Sequence, residues 1–151
     1  MLNFDDNSNC RTHVVTNSHT KPVQRKIIEI GKNDDGTNAL KWLADRDVGS
    51  AKKYILANDD ETIPEMMNLP GLKRPILLRR MHYHLVLSDI LKQEGMEWTD
   101  MVVLGDIFEL DLCLPFQMGA KVGLMTSRFT PQYEIDFLNN HPRCATFDSL
   151  S

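Results

Sequence analysis

The sequence predicts an α/β fold, a Rossmann-like parallel sheet with helices on both faces. Three observations predict it. Short apolar stretches alternate along the chain with longer segments of helical period. Met101-Val102-Val103-Leu104 is a short, wholly apolar run ended by Gly105, the pattern of a buried parallel strand. Hydrophobic content of 42% and charged content of 25% are those of a globular chain, and 151 residues suffice for one domain with a core.

Taken in order, residues 1–10 are polar and form a ragged N-terminal segment, with residues 11–151 as one domain. A strand at about 12–16 leads to a helix at about 21–32, with Val23, Ile27, Ile28 and Ile30 on its apolar side. Asn33-Asp34-Asp35-Gly36 breaks it, and a helix at about 38–46 follows, carrying Leu40, Trp42 and Leu43. Gly49-Ser50 is a turn, and Lys53-Tyr54-Ile55-Leu56 reads as a short strand. Residues 58–75 are acidic and Pro-containing and read as a loop, with a helical turn near Pro64–Asn68. The helix at about 80–94 presents Leu85, Leu87, Ile90 and Leu91. After the strand ending at Gly105 come a short helix through about Gln117, a strand at 121–126 and a helix at about 131–140 opened by Thr130-Pro131. Ala145-Thr146-Phe147 reads as a final edge strand.

Chemistry concentrates after Leu104. Asp106, Glu109 and Asp111 follow the apolar run closely, at the carboxyl end of a strand, where open α/β sheets bind ligands. Grouped carboxylates there suit a hard cation such as Mg2+, which keeps room for phosphate oxygens. The plainer alternative is helix capping and first-turn acids.

Gly105-Asp106, four residues, then Asp111 resembles the fourth motif of the haloacid dehalogenase-like (HAD) phosphohydrolase superfamily. Leu114-Pro115, Met118-Gly119-Ala120 and Lys121–Thr126 resemble the short helix, small-residue turn and next parallel strand that follow it. Upstream, His13-Val14-Val15-Thr16-Asn17-Ser18 resembles the second motif, a strand ending in a hydroxyl that binds the transferring phosphoryl group. Hydroxyl, amide and backbone N–H donors suit that task, and an ordinary helix cap at Ser18 or Thr20 is the alternative.

The resemblance implies a Mg2+-dependent phosphohydrolase acting on a phosphorylated small molecule. Thr16, with Asn17 and Ser18, would bind phosphoryl oxygens; Asp106 would hold Mg2+ with help from Asp111 or Glu109. The third motif asks for a cation, usually Lys. Arg80 fits the spacing best and would serve beside Thr16 as a catalytic residue, with Lys73 and Lys52-Lys53 as other candidates. The first motif, a strand-borne Asp-x-Asp carrying the nucleophile, has no match: Asp5-Asp6 lacks an apolar strand before it and room for a parallel crossover after it. The resemblance therefore covers the chain from about residue 11 onward, and implies an incomplete HAD-like core, the C-terminal part of a phosphohydrolase or a truncated relative. A non-catalytic module serving binding or assembly is the alternative function. Without a nucleophile strand, the strands at 12–16 and 101–105 are expected to pair directly or to leave an exposed edge that promotes self-association.

A net charge of −4 disfavours non-specific nucleic-acid binding. No apolar run reaches the length of a membrane span, and the N-terminus lacks the zones of a secretory signal. Cys10, Cys113 and Cys144 form no Cys-x-x-Cys pair, so a reducing cytoplasm is expected. His82 and His84 lie two apart and do not share a helix face, which argues against a zinc site.

Overall fold

Val14 and Val15 are β-branched neighbours among polar residues, and they form β1 (Val14–Val15) in the computed structural model. The structure describes residues 10–57 and 61–148, so the Asp5-Asp6 candidate lies outside the described residues. The chain divides into two compact units, Met1–Lys52 and Lys53–Ser151.

In the first unit, β1 pairs in parallel with β2 (Asp47–Val48), Val14 opposite Asp47 and Val15 opposite Val48. Between them lie α1 (Thr20–Ile30) and α2 (Lys41–Ala44), tied by the Gln24 amide donating to the Ala44 carbonyl at 3.1 Å. The second helix is shorter than its sequence suggests. Asn38 takes the chain out of α1 instead of starting α2: its Oδ1 accepts the Leu40 N–H and its amide donates back to Ile28. Gly31 ends α1 where any Cβ would strike the Asn38 and Leu40 side.

The second unit opens irregularly. Lys53–Leu56 is not a strand: Lys53 turns inward, while Tyr54, Ile55 and Leu56 are exposed and have no strand partner among the described residues. The segment read as a loop instead supplies β3 (Met66–Met67), paired antiparallel with β4 (Ile76–Leu77). Met67 and Ile76 face inward and are buried, while Met66 and Leu77 face out. Next comes α3 (Met81–Glu94), whose buried stripe is Tyr83, Leu87 and Leu91 at four-residue spacing. Leu85, expected inside, is half exposed because it lies off that stripe. Gly95 closes α3 with φ 65, its N–H meeting Lys92 and the Met96 N–H meeting Leu91, a Schellman arrangement.

A parallel sheet completes the unit: β5 (Val102–Gly105), β6 (Lys121–Thr126) and β7 (Cys144–Asp148), in the order β5-β6-β7. A π-helical turn at Phe108–Leu112 and α4 (Cys113–Met118) connect the first two strands, and α5 (Gln132–Asn139) connects the last two. Pro131 caps α5 from the position before its first turn, one place earlier than expected. Val122 and Leu124 are buried on one sheet face. Nearby, Phe137 packs edge-on against Phe108 and Phe116 at 5.8 and 5.6 Å. On the other face Leu104 and Phe147 lie where a Gly123 Cβ would be, and Val102 and Leu104 stay 62% and 64% exposed. Of the two outcomes expected for the strands at 12–16 and 101–105, direct pairing is not seen among the described residues, since β1 takes β2 and β5 takes β6, and β5 stands at the edge of its sheet. The molecule is thus mixed α/β with small parallel sheets. Among the described residues no helix is long and apolar enough to cross a membrane.

Candidate functional site

The turn after β5 is built around Asp111. Gly105 ends the strand at a point where a Cβ would come within 2.5 Å of the Asp111 Cβ, so only glycine lets the acid fold back over the strand end. The π-helical turn returns Asp111 to this point, with its N–H donating to the Ile107 carbonyl at 2.8 Å. Asp111 Oδ2 accepts the Ile107 N–H at 3.1 Å. The four-residue gap between Asp106 and Asp111 is therefore one wide helical turn whose last acid caps its first residue.

Asp111 Oδ1 lies 2.7 Å from Lys53 Nζ, and each side chain is only 11% exposed. The Lys53 ammonium sits 5.2 Å from the centre of the Tyr83 ring, and the Tyr83 hydroxyl donates to the Asp111 carbonyl at 2.8 Å. Burial, then the Asp111 charge, pushes the Tyr83 phenol pKa well above its ordinary value, so it stays a donor. Ion, ring and carbonyl lock three distant stretches of the unit together.

Glu109 has different partners. Arg74 grips it with two bonds, Nη1 to Oε1 at 3.1 Å and Nη2 to Oε2 at 2.7 Å, and Arg80 Nη2 approaches Oε1 at 3.7 Å. The Arg74 bond is the largest influence holding the Glu109 pKa below the usual carboxylate value. Glu134 is pushed up, first by burial and then by the Glu109 charge. Arg80 is 5% exposed; Nη1 donates to the Lys53 carbonyl at 2.7 Å, and Nε is buried without a hydrogen-bond partner among the described residues. Desolvation lowers its pKa, and the neighbouring Glu109 opposes that shift.

The three sequence acids are thus divided among separate tasks. Asp111 serves Lys53 and its own turn, Glu109 serves Arg74 and Arg80, and Asp106 is exposed with no hydrogen-bond or ion-pair partner among the described residues. Among the described residues no group of three or more His, Cys, Asp or Glu side chains is placed to hold a metal ion. The set Asp106, Glu109, Asp111 does not fit a three-acid cage; the turn offers one available carboxylate.

Of the basic candidates, Lys53 meets Asp111 and Arg80 approaches Glu109 in the acidic turn, while Lys52 and Lys73 are exposed. Thr16, Asn17 and Ser18 belong to the first unit, whereas the cluster above is built wholly within the second. Thr16 is half-buried; its N–H donates to Val48, its carbonyl accepts the Ala51 N–H, and its Oγ1 accepts the Ser18 N–H at 3.1 Å. Its hydroxyl thus organises the turn into α1. Tyr83, the middle of a His-Tyr-His run, carries no sequence signal strong enough to find it, and Arg74 is legible only within the Lys73-Arg74-Pro75 stretch that offers a candidate cation. No protein-family model, no curated protein and no solved structure matches this chain.

Proposed function

We propose that this chain carries part of a HAD-like phosphohydrolase core with a Rossmann-like sheet, and that the turn after β5 handles a phosphorylated small molecule. The observation that carries this reading is the buried Lys53–Asp111 pair at the carboxyl end of a parallel strand, in the same turn that begins with the exposed Asp106. Binding sites of parallel sheets lie at that end. Lys53 takes the role of the charge-neutralising cation, and Asp111 orients it. Thr16, with Asn17 and Ser18 in the first unit, is proposed separately as a phosphoryl-binding loop and forms no part of this cluster.

Charge balance argues for a divalent cation. Lys53 is already engaged by Asp111, and Arg74 and Arg80 by Glu109, so a phosphate dianion arriving beside Asp106 meets cations whose charge is already matched. Mg2+ is often held by one or two carboxylates with water and phosphate oxygens completing its shell, and Asp106 is the carboxylate available for it. When bound it would neutralise phosphoryl oxygens. The protein's own contribution is a preset electrostatic frame that need not rearrange.

A second reading, a module for binding or assembly, is favoured by one observation: no strand among the described residues ends in an Asp-x-Asp pair. The open edge of β5 and its exposed Val102 and Leu104 would then serve self-association. Hydrolysis of p-nitrophenyl phosphate, with and without Mg2+, separates the two readings. Mg2+-dependent turnover that disappears in Asp106→Asn supports the phosphohydrolase. A folded sample without turnover supports a core fragment lacking its nucleophile or the module, which Mg2+-dependent binding of inorganic phosphate then tells apart.

A further inference from the structure

We infer that Arg80 is a positioning residue for Lys53, setting the lysine's ammonium against Asp111 through the lysine's own backbone. The role given to Lys53 rests on the reading above, but the anchoring does not. Lys53 lies within a stretch without regular secondary structure, residues 49–57, so no ladder of hydrogen bonds fixes its main chain. Just before it, Ser50 and Lys52 take φ of 54 and 49, a conformation that costs non-glycine residues energy and needs outside support. Two bonds lace the stretch to the entrance of α3: Arg80 Nη1 to the Lys53 carbonyl at 2.7 Å, and the Ala57 N–H to the Arg79 carbonyl at 2.8 Å.

Arg80 is itself rigidly presented. Its N–H donates to the Leu78 carbonyl at 2.6 Å, closing a tight γ-type turn centred on Arg79, and its carbonyl accepts the His84 N–H that starts the helix. One guanidinium nitrogen holds the Lys53 carbonyl while another points at Glu109. A planar fork can serve both, whereas a lysine ammonium, a point charge on a flexible stem, cannot hold the two in fixed geometry. Arg80 lies three residues before Tyr83, so one helix entrance sets both the lysine's backbone and the ring over which its ammonium lies.

The test is competitive acetylation of the intact chain by isotope-paired acetic anhydride, read residue by residue by mass spectrometry. In the wild type, Lys53 should react about tenfold or more slower than exposed Lys73, Lys92 and Lys121, because it labels only on local opening. In Arg80→Gln its rate should rise toward theirs while the other lysines stay unchanged. Lys53 remaining protected in a folded Arg80→Gln protein overturns the inference, and so does a uniform rise of all lysines, which marks general loosening. Should Arg80→Gln not fold, the same ratio is read in Arg80→Lys, which keeps charge beside Glu109 without the fork. Labelling needs no substrate, so its outcome stands apart from that of the phosphatase assay.

Discussion

At the residue scale, the buried Lys53–Asp111 pair organises the second unit. Both charges are largely out of water, so the pair is costly to form but far costlier to break on one side. Lys53→Met should destabilise the unit by about 3 kcal/mol, because Asp111 is left charged and buried. The double variant with Asp111→Asn should recover part of that loss, which denaturant titration of the three proteins measures. Asp47, in the first unit, gives an opposite case. Both of its carboxylate oxygens are shut from solvent without a hydrogen-bond partner among the described residues, and burial raises its pKa above the ordinary value. A raised folded-state pKa means the fold binds this proton more tightly than the unfolded chain does. Stability is then fully present below the unfolded pKa and is lost as pH rises through the folded one. Asp47→Asn should therefore raise stability by about 1 kcal/mol at neutral pH. The gain should vanish below about pH 4, where the native acid is also neutral; thermal melts across that range check the sign.

At the element scale, the Gly105–Asp111 turn shows what the sequence makes legible. Gly-Asp-x4-Asp after an apolar run is a local pattern, and the structure turns it into a local object: a strand end, one wide turn and a returning acid that caps it. Gly105→Ala should cost about 2–3 kcal/mol, since the added methyl meets a side chain already fixed by Lys53 and the Ile107 N–H. Urea unfolding would show this, and a neutral effect would mean that Asp111 is free to move aside. The strand at 121–126 is equally legible, because it is long and wholly patterned. The two-residue strands are not. Asp47-Val48 and Met66-Met67 are too short to carry a period, and they exist only because Val14-Val15 and Ile76-Leu77 lie opposite them. Conversely, Lys53–Leu56 has strand-like residues but no partner, and its first side chain is pulled inward by an acid 58 residues away. Pairings at that separation leave no trace in local composition. The same distance leaves Lys53 no more visible in the sequence than the other candidate cations, Arg80 being nearer to the acidic turn along the chain.

At the scale of the whole molecule, the apolar surface of the β5 strand is the feature most exposed to consequence. Val102 and Leu104 project from an edge strand of a three-stranded sheet whose opposite face is buried. Such edges and faces favour association with further chains. Sedimentation or size-exclusion chromatography over a range of concentrations should show self-association that Leu104→Lys reduces without lowering stability. A wild-type chain monomeric at all concentrations would remove that expectation. The central claim concerns phosphate, and direct binding tests it before any turnover is sought. Isothermal titration with inorganic phosphate should show binding in the presence of Mg2+, none without it, and none in the folded Asp106→Asn variant. Absence of phosphate binding by the folded wild-type protein with Mg2+, or binding that Asp106→Asn leaves intact, would contradict the assignment of this turn as a phosphoryl site.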